Sequence, residues 1–425
     1  MENSSNRVFL ITNGCPENRI DIAHVQRFFE ANRWTVTDSY LDADLIVFNS
    51  CGLTQLHEDA SLQIIDTLKK YKPAHARLVI SGCLPRINPG ALTPHGDAIV
   101  VRGEQEVGRL NDIIDAQQPI QACHANFVLP LQTLREKPSP SGIYPSFFDL
   151  LLKPRSDCQG TLERLTCLPL LAYDRWLDSR VNLFPRNKSA CFIKISTGCL
   201  NACAYCAVKN SRGALRSKHP DQILTEFREG LARGSQSVSL LGTDLGPYGR
   251  DLGTDLTTLL DRLVRERGNF EIRLRNVEPQ YLIRLWPKLQ EVLASGKITF
   301  LGIPIESGSD IILKAMRRGY AIDEVKACVR DLTKRFPWIF IRNQLMGGFP
   351  GETEQQFQET MRLIDDLVFD YTEVYVFSAR LNTAAAAMKD QVPVPVRRHR
   401  RNQLWRKSLL AHTPQRLRKL RNSNI

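Results

Sequence analysis

Three cysteines fall within eight residues, at Cys199, Cys203 and Cys206, in the run Thr197-Gly198-Cys199-Leu200-Asn201-Ala202-Cys203-Ala204-Tyr205-Cys206. At this C-x-x-x-C-x-x-C spacing, three thiolates can hold three irons of a four-iron cluster, and the missing fourth ligand leaves one iron open to an external group. A zinc site would want four Cys or His ligands in paired spacing, and only His219 lies nearby.

Three further cysteines share a local setting. Asn13-Gly14-Cys15, Asn49-Ser50-Cys51 and Ser81-Gly82-Cys83 each follow directly on an apolar run that reads as a buried strand. In a parallel sheet the carboxyl ends of the strands share one edge, so thiols far apart in sequence can converge there. A single cysteine at a strand end is more often a small buried hydrophobe. Three together, each preceded by small or turn-forming residues, point instead to a second cluster. Cys123, Cys158, Cys167, Cys191 and Cys328 have no such placement and read as structural.

The elements that must position these thiols alternate. Val8–Thr12, Leu45–Asn49 and Leu78–Ser81 read as buried strands, with amphipathic helices over Ile22–Ala31 and Ala60–Tyr71 between them. This α/β rhythm argues for a parallel sheet with crossover helices. It weakens over 119–188, where prolines recur and Lys137–Gly142 reads as a turn or linker, although the apolar clusters Phe147–Leu152 and Leu168–Tyr173 argue for packing on a domain. It returns with strands at Cys191–Ser196, Ser237–Leu241, Glu271–Arg275, Ile298–Ile303, Ile339–Leu345 and Glu373–Phe377, and helices at Pro220–Ala232, Thr254–Arg267, Pro279–Ala294 and Glu352–Leu367. Six βα units in about 200 residues fit a partial barrel, since a full eight-unit barrel needs roughly 250. The expected organisation is 1–118 for the first cysteine set, 119–188 as linker or insert, 189–392 as the partial barrel, and 393–425 as a basic tail.

Composition bounds the rest. At 425 residues and 43% hydrophobic content, two or three domains can each bury a core. Met1–Asn6 is polar, and no apolar run approaches the roughly 20 residues that span a bilayer, so the expected location is the cytosol. There, eleven cysteines favour metal or cluster binding over disulfides. The formal charge of +12 is concentrated: Arg397–Ile425 carries ten Lys or Arg and no Asp or Glu. That tail is one candidate contact for RNA phosphates. The alternative is a helix packed through Leu404, Trp405, Leu409, Leu410, Leu417 and Leu420, with its charges solvated.

The Cys199–Cys206 loop, with an aromatic residue just before its last cysteine, resembles the signature of the radical S-adenosylmethionine superfamily. The first cysteine set resembles the N-terminal domain of its methylthiotransferase family. The likeness runs from Val8 to about Pro393. It includes Ser211-Arg212-Gly213, Leu240-Leu241-Gly242-Thr243 with Tyr248-Gly249, Ile305-Glu306-Ser307-Gly308-Ser309-Asp310 with Met316-Arg317-Arg318, and Met346-Gly347-Gly348-Phe349-Pro350-Gly351-Glu352-Thr353.

The resemblance implies a doubly wound N-terminal domain followed by a partial (β/α)6 radical barrel. It also implies two [4Fe-4S] clusters, one on Cys199, Cys203 and Cys206 and an auxiliary, sulfur-supplying one on Cys15, Cys51 and Cys83. S-adenosylmethionine would bind the open iron and be cleaved to a 5′-deoxyadenosyl radical, chemistry that no side-chain base can perform on an unactivated carbon. Tyr205, Gly242, Ser307 and Gly348 are expected near the bound cofactor, with Arg216 as a partner for its carboxylate. An external electron donor such as flavodoxin or ferredoxin is implied.

Three departures bear on the substrate. The chain stops where family members continue into a small TRAM barrel, a module expected to be absent here. Glu306 stands where the family has glutamine, either as a substrate contact or as a salt-bridge partner of Arg273 or Arg275. The late strand reads Phe377-Ser378-Ala379-Arg380-Leu381-Asn382-Thr383-Ala384-Ala385, without the family's tyrosine and glycine. The expected function is sulfur insertion or methylthiolation at an unactivated C–H bond of a small molecule or peptide in a specialised biosynthetic pathway. The alternatives are a tRNA or ribosomal-protein methylthiotransferase docking through the tail, and a non-catalytic iron–sulfur or RNA-binding protein.

Overall fold

The structure is a computed structural model that describes residues 6–103, 106–127, 190–411 and 413. Lys137–Gly142, the apolar clusters Phe147–Leu152 and Leu168–Tyr173, Cys158, Cys167, Leu417 and Leu420 lie outside the described residues.

The first sheet is wholly parallel. Its strands are β1 (Arg7–Thr12), β2 (Thr35–Thr37), β3 (Leu45–Ser50), β4 (Arg77–Gly82) and β5 (Ile99–Val100), in the order β2-β1-β3-β4-β5. Strand residues alternate between two cores, as the two-residue side-chain period requires. Val8, Leu10, Val47 and Val79 pack with Phe28 and Phe29 of the helix Pro16–Ala31. Phe9, Ile11, Ile46, Phe48 and Ile80 pack with Ile65 and Leu68 of the helix Gln55–Tyr71. Burial on both faces is why these strands read as continuous apolar runs. Proline enters the first helix in its opening turn, where its missing N–H costs nothing. The Thr54 hydroxyl caps the second by accepting from the His57 N–H.

Then follow β6 (Ala190–Lys194), β7 (Ser196–Thr197), β8 (Arg216–Ser217), β9 (Ser237–Leu241), β10 (Glu271–Leu274), β11 (Ile298–Glu306), β12 (Phe340–Gly347) and β13 (Tyr371–Val376). Six of them form the parallel sheet β13-β12-β11-β10-β9-β6, in which each strand lies beside its predecessor among the six, as in an arc of a βα barrel. β7 and β8 pair antiparallel, Thr197 opposite Arg216, and bracket the Cys199–Cys206 loop. The intervening helices are capped by their own side chains: Asp255 accepts from the Thr258 N–H, and Thr353 with Gln356 forms a capping box.

The chain divides into two compact units. One takes Met1–Leu134, Cys191–Val277 and Ser378–Met388, and the other takes Arg135–Ala190, Glu278–Phe377 and Lys389–Ile425. All six cysteines of the two sets belong to the first. In the second, the helix Val394–Leu410 packs on β12, β13 and the helix Glu354–Asp366, burying Leu404, Trp405 and Leu409 while Leu410 stays exposed. Arg400 is buried against Glu352 at 3.0 Å, and Lys407 pairs with Asp365. These cations of the basic tail are therefore committed inside the unit. No helix among the described residues is long and apolar enough to cross a membrane.

Candidate iron–sulfur site

β1, β3 and β4 are neighbours, and their register aligns Thr12 with Asn49 and Asn49 with Ser81. Cys15, Cys51 and Cys83 therefore leave the same edge from adjacent strands. Short-range bonds fix the three turns. The Cys83 N–H donates to Ser50 O at 2.8 Å, the Cys51 N–H donates to Asn13 Oδ1 at 3.0 Å, and the Ser61 hydroxyl donates to Cys51 O at 2.7 Å. Glycine is required at position 82, where φ is +90° and a Cβ would meet Ser50 O at 2.3 Å.

Asn18, fully buried on the first helix, ties two of the thiols together. Its Oδ1 lies 3.8 Å from Cys15 Sγ and 3.5 Å from Cys83 Sγ, and its Nδ2 donates to Ser50 O. The three sulfurs are near enough for a charge on one to act on the others. Burial, then the neighbouring Cys83, pushes the Cys51 thiol up to about 12, so loading with metal must expel a proton from it.

The second cysteine set sits on the loop between β7 and β8. Gly198 has φ +75°, and a Cβ there would stand 2.0 Å from Ala214 O, so the turn into Cys199 accepts only glycine. The Asn201 N–H points at Cys199 Sγ at 3.3 Å, and Lys209 Nζ closes the loop on Asn201 O at 2.9 Å. Asn201 Nδ2 donates to Asp244 Oδ2, just beyond β9. Burial and then the Asp244 charge push the Cys199 thiol up to about 12, and Cys203 and Cys206 act on it as well.

Within this unit the two sets are interlocked. Cys83, Ile87 and Ala207, the residue after Cys206, form one small core. Thr243 Oγ1, past the end of β9, donates to Glu17 Oε2, two residues after Cys15. Arg212, on the helix Val208–Arg212, reaches Asn18 and Asp21 of the first helix. The segment Ser378–Met388 is tied to both parts of this unit. The Gln55 N–H donates to Ser378 Oγ, Arg380 makes a buried ion pair with Glu58, and the Ala385 N–H donates to Ala204 O. Asn18 and Glu58 were not singled out in the sequence, and Arg212 and Arg380 entered only as members of quoted motifs, without a role. Proximity to the cysteine motifs was a further signal, Asn18 three residues after Cys15 and Arg212 six after Cys206.

The donor chemistry fits two iron–sulfur groups: two sets of three thiols, each drawn together, with amide and ammonium donors around the second. Among the described residues no three His, Cys, Asp or Glu side chains close on a single metal ion. A cluster spreads its thiolates more widely than one ion does. Cys191 and Cys328 are buried, and the Cys191 sulfur packs under Gly230. Cys123 packs at the edge of the first core.

The remaining expected residues divide between the units. In the first, Tyr205 is half-buried within the cysteine loop, Arg216 is exposed on β8 opposite Thr197, and Gly242 is buried after β9 where a Cβ would meet Ser196 Oγ at 2.7 Å. In the second, the Ser307 hydroxyl sits 3.2 Å from Thr360 Oγ1 and accepts from the Ser309 N–H, so it holds its own turn. Gly348, at φ +80°, backs against Arg397, and its N–H donates to Glu352 Oε2. Glu306 is buried with φ +70° at a register shift between β11 and β12. Its charge is felt by Tyr320 and Tyr375, both of whose hydroxyls are pushed upward chiefly by burial.

Residues 193–364 match the radical SAM superfamily, and residues 7–101 match a family described as uncharacterized protein family UPF0004. The human threonylcarbamoyladenosine tRNA methylthiotransferase is 29% identical over 403 residues, which cover 94% of this chain and 62% of that protein. The ribosomal protein uS12 methylthiotransferase RimO of Geotalea uraniireducens (strain Rf4) is 29% identical over 411 residues, 94% of this chain and 81% of that protein. The chain thus spans less than two thirds of the length of its vertebrate relatives. In fold alone it resembles the radical S-adenosylmethionine methyltransferase TsrM from Kitasatospora setae, with a TM-score of 0.57 at 12% identity over 90% of this chain and 77% of that one. Each matched segment carries one of the two cysteine sets, and over 94% of its length the chain is similar to methylthiotransferases whose matched region is a radical S-adenosylmethionine domain.

Proposed function

We propose that this chain inserts a methylthio group into a C–H bond of a tRNA adenosine. The observation that carries the reaction class is the pair of interlocked cysteine sets within one unit. The substrate class is supported by the tRNA methylthiotransferases that align with 94% of the chain. RimO relatives at the same 29% identity favour a second reading, a ribosomal-protein side chain. The expectation of a small molecule or peptide has no counterpart among these relatives.

In this reading Cys199, Cys203 and Cys206 hold one four-iron cluster, and Cys15, Cys51 and Cys83 hold the other. Bound clusters and S-adenosylmethionine supply the electron, the hydrogen-abstracting radical and the sulfur that side chains cannot. The chain's own residues position and enclose. The Gly198 turn presents Cys199, Asn201 and Lys209 brace the loop, and Ser378–Met388 ties the helix after Cys51 to the loop of the second set. We assign Tyr205, Arg216 and Gly242 to contact with S-adenosylmethionine. Ser307 and Gly348 contribute by holding turns, and Glu306 is a candidate substrate contact. An external flavodoxin- or ferredoxin-type donor would deliver the electron.

Anaerobic reconstitution tests the site: about eight irons per chain are expected, and about four after alanine replacement of either cysteine set. Mass spectrometry of tRNA nucleosides and ribosomal proteins from a deletion strain tests the substrate, and loss of a methylthioadenosine is the expected result. Unchanged nucleosides with a lost ribosomal-protein modification select the second reading, and no change in either defeats both.

A further inference from the structure

Arg212 belongs by sequence to the second cysteine set and by contact to the first. Its side chain is buried, donating through Nη1 to Asp21 Oδ2 and through Nη2 to Asn18 Oδ1, both at 2.6 Å. The same Asn18 oxygen lies 3.5 Å from Cys83 Sγ and 3.8 Å from Cys15 Sγ. One guanidinium edge is therefore a single atom removed from two sulfurs of the N-terminal set.

Charged side chains gather around that wall. Arg212, Lys194 and Arg19 are cations, and Lys194 Nζ lies 2.6 Å from Asp21 Oδ1. Asp21 and Glu17 are anions that face the same groups. Thiolates on an iron–sulfur core would bring further negative charge beside the Arg212 guanidinium. Hydrogen bonding and net charge near the sulfurs also set the potential of such a core.

We propose that Arg212 is a positioning residue for the N-terminal iron–sulfur group, holding the Asn18 wall against Cys15 and Cys83 and raising that group's reduction potential by its charge. This rests on Cys15, Cys51 and Cys83 being cluster ligands. It gives the segment that carries one cysteine set control over the electronic state of the other.

The test uses the full chain with Cys199, Cys203 and Cys206 replaced by alanine, reconstituted anaerobically so that only the N-terminal group remains, and titrated potentiometrically by electron paramagnetic resonance. Adding Arg212→Gln should move the reduction equilibrium about tenfold toward the oxidised form, which is about 59 mV for one electron. Arg212→Lys, which keeps the charge, should stay within about twofold of the parent. Asp21→Asn, which removes an anion, should move the equilibrium the opposite way. Iron-replete Arg212→Gln and Asp21→Asn variants that both titrate like the parent overturn the proposal. Should Arg212→Gln fail to hold iron, the Arg212→Lys and Asp21→Asn titrations decide. Absence of iron from the parent triple variant is a different failure, that of the ligand assignment itself.

Discussion

Replacing Arg380 by methionine strands the carboxylate of Glu58 in the protein interior. Both side chains of this ion pair are almost fully enclosed, Arg380 at 4% and Glu58 at 6% exposure. Removing one partner of a buried pair costs about 3–5 kcal/mol, because the survivor keeps its charge without its counter-charge. Asn88 Nδ2 still donates to Glu58 at 2.8 Å, which argues for the lower end, about 3 kcal/mol. The loss falls on the segment Ser378–Met388, whose other ties include the Gln55 N–H to Ser378 Oγ and the Ala385 N–H to Ala204 O. At about 1.4 kcal/mol per tenfold, its local opening should become on the order of a hundred times more frequent. Hydrogen-exchange mass spectrometry of a peptide covering 378–388 reads this directly. The double variant Glu58→Gln/Arg380→Met leaves no charge buried and should recover to within about tenfold of wild type. Exchange in the single variant that matches wild type, or a double variant as open as Arg380→Met alone, would refute the reasoning.

Two further outcomes are expected. Gly198→Ala forces a Cβ to 2.0 Å from Ala214 O at a φ of +75°, so the reconstituted variant should hold about four irons where wild type holds about eight, with the N-terminal group's spectrum intact. His24 is held down at about 4, first by burial and then by Lys194, with Asp21 opposing. Between an unfolded value of about 6.5 and that folded value, the unfolded chain binds a proton that the fold refuses. Its stability contribution is therefore full above about pH 6.5 and lost on acidification, up to about 2 kcal/mol by pH 5. In urea titrations at pH 7.5 and 5, His24→Gln should show a correspondingly smaller loss, and an equal loss would contradict the assignment.

Sequence reading reached the strand ends because parallel strands buried on both faces announce themselves as apolar runs, and the cysteines then mark where each run stops. Ser237–Leu241 and Pro220–Ala232 match the structure residue for residue. The helix Ile322–Arg335 was missed although Ile322, Val325, Val329 and Leu332 are correctly spaced, because the charged residues between them mask the stripe. Thr35–Thr37 and Ile99–Val100 are too short to read outside the sheet they edge. Side-chain pairing was not legible at all: Arg212 and Asn18 stand 194 residues apart, and Arg380 and Glu58 stand 322 apart. Such pairs are settled by which surfaces the packed elements bring face to face. The basic tail shows the same limit, since only folding reveals that Arg400 is spent on Glu352.

The turns bearing Cys15, Cys51 and Cys83 are held by Asn13, Ser50 and Ser61, groups that need no metal to bond one another. Small zinc domains collapse when stripped because the ion is their fold. Here a sheet with two cores of its own builds the receptacle in advance. On the proposed assignment these turns would keep their bonds with iron withdrawn, and the folded chain would serve as an acceptor for whatever machinery delivers clusters.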